Sequence, residues 1–224
     1  MIMKKIGMLT IGQSPRDDIV PAMVETLGDG FEIMEAGALD DLTFEDISRI
    51  EFGPDDSLLV SRMRDGTEIK ITKRLILPLM QERIQELEER GARLIVLMCT
   101  GEFPQFDSKG LVITPQEILQ GVLKGALKKG KLGVVYPAQE QIHGAEARFK
   151  REGVEIYADH LSPYEGESEL NSLADRLAEQ DLDLVLLNCF GFSSKVKEAV
   201  ASKTGKPVIQ PNTLIARVLK ELAS

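Results

Sequence analysis

The sequence predicts an α/β protein built from two similar parallel-sheet halves, and three observations lead to this prediction. Continuous apolar segments alternate with segments that have the spacing of amphipathic helices. Strands that are apolar on both faces are typical of parallel sheets covered by helices on both sides. Three sequence patterns also occur twice in the same order, which indicates an internal duplication. The length of 224 residues suits one large or two small globular domains.

The first half contains the predicted hairpin that distinguishes it from the second. Its predicted elements are, in order, the strand IGMLTI, a helix in PRDDIVPAMVETLG, the strand FEIMEA, the short segment TFEDISRIE, the hairpin strands SLLVSRM and TEIKIT, a helix over 74–90, a strand over 93–98, the short strand LVIT and a helix over 116–128. The two hairpin segments alternate polar and apolar residues on either side of Asp65-Gly66, which is a strong turn signal. We therefore predict a β-hairpin near residues 57–72.

The second half alternates strands and helices without such a hairpin. Its predicted elements are the strand KLGVVY, a helix over 139–152, the strand VEIYA, a helix over 167–179, the strand LDLVLLN, a helix over 194–202, the strand PVIQ and a final helix over 213–222. This order repeats the order of the first half and supports the same parallel arrangement.

The duplication is carried by three pairs of segments. KKIGMLTIG resembles GKLGVVYPA, LIVLMCTGEF resembles LVLLNCFGFS, and VITPQEILQGVLKGAL resembles VIQPNTLIARVLKEL. In the first half 92 positions separate Gly7 from Cys99, whereas 56 separate Gly133 from Cys189 in the second half. The surplus of 36 residues lies where the hairpin is predicted. The hairpin is therefore predicted to be an insertion, used for contacts in a homodimer or as a lid.

The repeats also predict where the chain passes from one half to the other. In space we expect the first half to comprise residues 1–114 together with 211–224, and the second half to comprise residues 115–210, so the helix that ends each sequence repeat belongs to the other half. In this arrangement the terminal helix packs back on the first half.

The only two cysteines, Cys99 and Cys189, occupy the same point of one repeated pattern. Each follows an apolar strand and is followed, two residues on, by glycine. Ligands of open α/β sheets bind beyond the carboxyl ends of strands, so two halves facing each other would bring both cysteines to one cleft. Backbone N–H groups in such turns can hold a carboxylate and lower the pKa of a thiol. The alternative is that each cysteine is a small apolar residue at the end of a buried strand.

The segment NCFGF, followed by KPVIQPNTLIARVL, resembles the second-cysteine motif and closing segment of the aspartate/glutamate racemase superfamily. That superfamily includes hydantoin racemases, maleate isomerases and arylmalonate decarboxylases. Over its whole length the chain is more similar to the AroM protein family, through TIGQSPR, the hairpin after the second helix, LMCTGEF and the segment from LNCFGF to LIARVL. The AroM resemblance implies a racemase-like fold and a site at the cysteines, and it implies no particular substrate.

The superfamily resemblance implies cofactor-free chemistry at a carbon next to a carboxylate. One thiolate removes a proton and the opposite thiol returns one to the other face, which makes Cys99 and Cys189 the predicted catalytic residues. Thr100 and the N–H groups of Phe190 and Gly191 are predicted to stabilise the enediolate. The predicted function is therefore a racemase, isomerase or lyase acting on a small carboxylate. The alternative is a non-catalytic carboxylate-binding or regulatory protein that retains the cleft.

Other residues near the predicted strand ends are candidates for substrate binding. They are Gly12, Gln13, Ser14, Arg16, Gly101 and Tyr136. Arg16 could grip a carboxylate or phosphate through its planar fork. The competing interpretation of this loop is a helix start, with Ser14 as N-cap and Pro15 at the first helical position. Asn212 and Thr213 are likewise predicted to cap the last helix.

Composition excludes several other classes of function. The formal charge is -9 and no basic stripe is interleaved with aromatic residues, so nucleic acid is not an expected partner. No signal peptide or membrane span is recognised, and we expect a cytoplasmic protein with reduced thiols. His143 and His160 lack metal-ligand spacing, and neither a GxGxxG nor a Walker A sequence occurs. We therefore predict no metal and no cofactor.

Overall fold

The structure is a computed structural model that describes residues 4–53 and 56–223. The chain divides into two compact units, one formed by Met1–Gln116 with Ala216–Ser224 and the other by Glu117–Ile215. Each unit has one four-stranded parallel sheet, and the first also has a two-stranded antiparallel sheet. The predicted fold class is confirmed, including the hairpin in the first half.

The sheet of the first unit has the strand order β2-β1-β5-β6. Its strands and those of the hairpin are β1 (Lys4–Thr10), β2 (Phe31–Gly37), β3 (Leu58–Arg62), β4 (Glu68–Thr72), β5 (Leu94–Leu97) and β6 (Leu111–Ile113). Its helices are α1 (Val20–Leu27), α2 (Phe44–Ser48) and α3 (Lys73–Glu89), and α4 (Pro115–Ala126) follows β6. The apolar core joins these strands to α3, with Ile76, Met80 and Ile84 fully buried.

The sheet of the second unit has the strand order β8-β7-β9-β10. Its strands are β7 (Gly130–Tyr136), β8 (Val154–His160), β9 (Leu184–Leu187) and β10 (Val208–Ile209). Its helices are α5 (Ala145–Phe149), α6 (Glu167–Ala178) and α7 (Ser194–Thr204), followed by α8 (Pro211–Ala223). The helix predicted over 139–152 is instead a 3-10 helix, Gln139–Gly144, followed by the short α5. Gly144 stands at their junction and lowers the preference for one continuous helix.

The two sheets repeat one another in register as well as in strand order. Gly7 of β1 pairs with Ile95, and Gly133 of β7 pairs with Val185, so each glycine faces the residue four positions before a cysteine. A Cβ atom on Gly7 would lie 3.0 Å from Ile95 Cγ1. A Cβ atom on Gly133 would lie 2.8 Å from a side-chain carbon of Leu182. The matched glycines therefore occupy equally tight positions, as the repeat predicts.

The hairpin packs against the loop that follows β1. Its strands pair from Leu58 with Thr72 to Arg62 with Glu68, and Gly66 supplies the positive φ that the predicted turn requires. The N–H of Gln13 donates to the carbonyl of Arg62 at 3.2 Å. The inserted hairpin thus supports a loop at the carboxyl end of the first sheet.

The first helix begins later than the sequence predicts. The N–H and hydroxyl groups of Ser14 both donate to Asp40, at 2.7 Å each. The carbonyl of Arg16 accepts hydrogen bonds from the N–H groups of Ile19 and Val20, which forms a turn ahead of α1. The prediction of Ser14 as N-cap is therefore wrong, because α1 begins at Val20, with Ile19 at its N-cap position.

A buried carboxylate ties β8 to α6 in the second unit. Asp159 is 7% exposed and accepts two hydrogen bonds from Arg176, at 2.8 and 2.9 Å, and one from the N–H of His160 at 2.7 Å. Burial alone would raise the pKa of Asp159, but the hydrogen bonds and charge of Arg176 and the His160 N–H hold it below its ordinary value of 3.8.

Replacing Asp159 by asparagine is expected to lower the free energy of unfolding by about 1–2 kcal/mol at pH 7. The loss is modest because Arg176 is partly exposed and water screens its charge. A lowered folded pKa gives stability that is present above the unfolded value and is lost as pH falls through the folded value. The difference in free energy of unfolding between wild type and Asp159→Asn should therefore become smaller below about pH 4. Urea unfolding of both proteins between pH 7 and pH 3 measures this difference, and a constant gap would contradict the assignment.

Candidate functional site

Cys99 and Cys189 have the same local geometry in the two units. Each lies two residues beyond the end of its strand, β5 or β9, and each is a half-buried cysteine that forms no disulfide. The Cys99 sulfur accepts a hydrogen bond from the N–H of Gly101 at 3.3 Å. The Cys189 sulfur accepts one from the N–H of Gly191 at 3.4 Å. A donor aimed at sulfur favours the thiolate form over the thiol form. The two turns therefore place the same kind of donor at both sulfurs.

The turn after Cys99 is closely packed on the side of Gly101. Thr100 is 6% exposed. A Cβ atom on Gly101 would lie 3.0 Å from the ring of Phe103 and 3.4 Å from the Cys99 sulfur. Any larger residue at position 101 would therefore disturb the packing around the sulfur.

The turn after Cys189 is held by two amide side chains. Asn212 donates to the carbonyls of Phe190 and Phe192, at 3.0 and 3.1 Å. Gln210 donates to the carbonyl of Phe192 at 2.8 Å. The sequence predicted only a capping role for Asn212, because its partners lie 20 and 22 residues away in the chain. Together these bonds fix the backbone that carries Cys189.

Tyr164 is a neighbour of the second cysteine turn that sequence reasoning missed. Its hydroxyl oxygen lies 3.4 Å from the position that a Cβ atom would take on Gly191, and Pro163 lies 3.0 Å from the same point. The available signal was the position of this segment just after the carboxyl end of β8. Tyr164 is thus a further polar group beside the Cys189 turn.

The predicted binding loop after β1 is tied by side chains to its own unit. Gln13 donates to the carbonyls of Leu39 and Leu42, and its oxygen accepts from the N–H of Arg64. Arg16 is buried and its fork holds both carboxylate oxygens of Asp18, at 2.8 and 2.7 Å. The proposed binding roles of Gly12, Gln13, Ser14 and Arg16 stay predictions, and these side chains also order the loop.

The carboxyl groups of Asp18 and Glu35, both near Arg16, have pKa values shifted in opposite directions. Burial would raise the pKa of Asp18, but the hydrogen bonds and charge of Arg16 outweigh it and place that pKa below the ordinary value. Burial raises the pKa of Glu35, and the N–H of Arg16, which donates to Glu35 at 2.7 Å, opposes this only in part. Arg16 is therefore neutralised within the protein by Asp18.

The sheet order brings the predicted residues to one edge within each unit. In the first unit β1 and β5 are neighbours, so the loop of Arg16 and the turn of Cys99 lie at the same sheet edge. In the second unit β7 and β9 are neighbours, which places Tyr136 at the same edge as Cys189. Tyr136 is 3% exposed and packs in the apolar cluster of that unit.

Residues 4–53 and 56–223 contain neither a metal-binding cluster of side chains nor a membrane-spanning helix. No group of three or more His, Cys, Asp or Glu side chains in this part of the chain could hold a metal ion. None of the described helices is long and apolar enough to cross a membrane.

Comparison with known proteins identifies the family. Residues 6–223 match the sequence profile of the AroM protein family. The chain belongs to the AroM family. A search of curated protein sequences found no match. The matched residues include both cysteine turns.

Solved structures similar to this AroM family member share its fold at low sequence identity. Unliganded arylmalonate decarboxylase has a TM-score of 0.60 and 16% identity, over 99% of this chain and 93% of that one. Glutamate racemase from Francisella tularensis, in complex with D-glutamate, has a TM-score of 0.55 and 16% identity, over 99% and 81%. Maleate cis-trans isomerase from Nocardia farcinica, bound to TRIS, has a TM-score of 0.62 and 15% identity, over 98% and 92%. These matches show a racemase-like α/β fold.

Proposed function

We propose that this AroM family protein is a cofactor-independent racemase, isomerase or lyase that acts on a small carboxylate through Cys99 and Cys189. The observation that carries the proposal is the repeated bond from a glycine N–H to a cysteine sulfur, at equivalent positions of two sheets. One such bond is a common turn feature, but its recurrence at both cysteines points to a matched pair of acid/base groups.

The proposed step transfers one proton at each sulfur. The thiolate of one cysteine takes the proton from the carbon next to the substrate carboxylate, and the electron pair of the broken C–H bond moves into the carboxylate to form an enediolate. The thiol of the other cysteine then donates its proton to the opposite face of that carbon and becomes a thiolate. Charge and protons balance over the cycle, with no net oxidation or reduction.

The enediolate needs hydrogen-bond donors close to the two sulfurs. The N–H groups of Gly101 and Gly191 bond to the sulfurs. We assign enediolate stabilisation to Thr100 and to the N–H of Phe190, which lie between each cysteine and its glycine. The carbonyl of Phe190 accepts a hydrogen bond from Asn212, so the peptide that joins Phe190 to Gly191 is already oriented before a substrate binds.

The kinds of similar proteins support a small carboxylate as substrate. They include a racemase in complex with D-glutamate, a maleate isomerase and an arylmalonate decarboxylase, and each is named for a compound with at least one carboxylate. Each of these compounds has a carbon next to a carboxylate, as the proposed chemistry requires.

The experiment is a screen of small mono- and dicarboxylates in deuterium oxide. We expect at least one compound to raise the melting temperature and to exchange its α-proton in the presence of the protein, as followed by NMR. The same compound should protect Cys99 or Cys189 from iodoacetamide, with the modified residue identified by mass spectrometry. Stabilisation and protection without exchange or turnover would favour a non-catalytic carboxylate-binding protein.

A further inference from the structure

Gln116 carries a buried amide that the described part of the fold does not use. It lies at the second residue of α4 and is 4% exposed. Neither its nitrogen nor its oxygen has a hydrogen-bond partner among residues 4–53 and 56–223. Buried amides are normally satisfied, because an unpaired donor or acceptor removed from water is costly. The unpaired Gln116 amide therefore costs stability unless a ligand pairs with it.

The register of the first sheet places Gln116 beside the Cys99 turn. Val96 of β5 pairs with Ile113 of β6. Cys99 lies three residues beyond Val96, and Gln116 lies three residues beyond Ile113. Because parallel strands end at the same edge, the two residues leave neighbouring strands at the same level.

The second sheet shows what an amide does at this position. Leu186 of β9 pairs with Ile209 of β10, and Cys189 and Asn212 each lie three residues further on. There the Asn212 amide reaches the cysteine turn and bonds the carbonyls of Phe190 and Phe192. Gln116 has the same register, one more methylene and no such bonds. Asn212 therefore fixes the Cys189 turn, whereas the Gln116 amide has no equivalent bonds at the Cys99 turn.

We infer that Gln116 is a substrate-contacting residue that determines specificity at the Cys99 turn. The inference rests on the proposed function, because its ligand is the carboxylate substrate of that site. An amide both donates and accepts, so a group that satisfies both ends must do the same. A second carboxylate would satisfy only the nitrogen. The Gln116 amide therefore selects a carboxylate that also carries a hydroxyl or a carboxamide group.

The binding test uses pairs of acids that differ by one such group. The pairs are malate with succinate, mandelate with phenylacetate, and succinamate with succinate, and affinities are measured by calorimetry. For at least one pair we expect wild type to bind the hydroxyl or carboxamide compound about 10-fold tighter. Gln116→Met, which keeps the length and removes the amide, should bring that ratio to about one. Wild-type binding without this preference, or a preference that survives in Gln116→Met, overturns the inference.

A matched pair of variants tests the unused amide without any ligand. Gln116→Met should raise the melting temperature of the free protein by about 2–4 °C, because it removes an unsatisfied buried group. Asn212→Leu should lower it, because it removes bonds that hold the Cys189 turn. A melting temperature that falls in Gln116→Met would show a structural amide and overturn the inference.

The outcomes separate this inference from the proposed function. Hydroxyl-dependent binding without α-proton exchange overturns the catalytic proposal and leaves Gln116 as a specificity residue. Binding without hydroxyl or carboxamide preference overturns the role of Gln116 alone. Failure of every acid to bind wild type overturns both.

Discussion

Cys189→Ala is expected to abolish interconversion of substrate enantiomers and to slow α-proton exchange of one enantiomer by about 10²–10⁴-fold, the usual contribution of a positioned acid/base group. Alanine has no proton to give or take, while the turn keeps its bonds from Asn212 and Gln210. Exchange of each enantiomer is measured separately by NMR in deuterium oxide. Carboxylate binding, measured by thermal stabilisation, should persist.

Cys99→Ala is the matched variant, and it should affect the opposite enantiomer. In a two-base site each sulfur serves one face of the carbon, so each single variant retains exchange on the face of the remaining cysteine. Racemisation should be lost in both. If both variants lose exchange of the same enantiomer, or if one of them is fully active, the two-base assignment is wrong and a single cysteine carries the chemistry.

Gly12→Ala is expected to lower the free energy of unfolding by about 2–3 kcal/mol, which corresponds to a fall in melting temperature of about 4–12 °C. The added Cβ atom would lie 2.3 Å from the hydroxyl oxygen of Ser61 and 2.5 Å from the carbonyl oxygen of Arg62. The second contact is with backbone, so the hairpin must move to relieve it. Calorimetric melting measures the loss, and faster proteolysis within the hairpin would locate it.

Gly121→Ala is the control for this substitution. Gly121 is exposed in α4, and a Cβ atom there would meet nothing within 4 Å. Alanine should stabilise that helix by about 0.5–1 kcal/mol. A Gly12→Ala protein as stable as wild type would mean that the hairpin does not rest against the loop after β1.

Sequence periodicity was sufficient for the strands and for most helices. The buried strands, the hairpin around Asp65-Gly66 and the duplicated order depend on local patterns, and the structure confirms them. The start of α1 was predicted wrongly: the helix begins at Val20, and Ser14 instead binds Asp40, 26 residues away. No local propensity contains that information.

Part of the candidate site could likewise be predicted from local sequence patterns, and part could not. Both cysteine turns could be found because cysteine and glycine recur at fixed spacing after apolar strands. Tyr164 and the amide of Gln116 could not be singled out, because their importance depends on which groups lie nearby in three dimensions. Asn212 was assigned only to a helix start, although its partners belong to the Cys189 turn.

The repeated strand order has a consequence for how such a protein can change. In an assembly of two identical chains, every substitution appears twice, so both cysteine turns must remain alike. Here the two copies belong to one chain and mutate independently. One copy has received a hairpin and keeps Gln116 unsatisfied, while the other uses Asn212 to brace its turn. Two similar halves within one chain can therefore differ, with side-chain bonds bracing one cysteine turn and not the other.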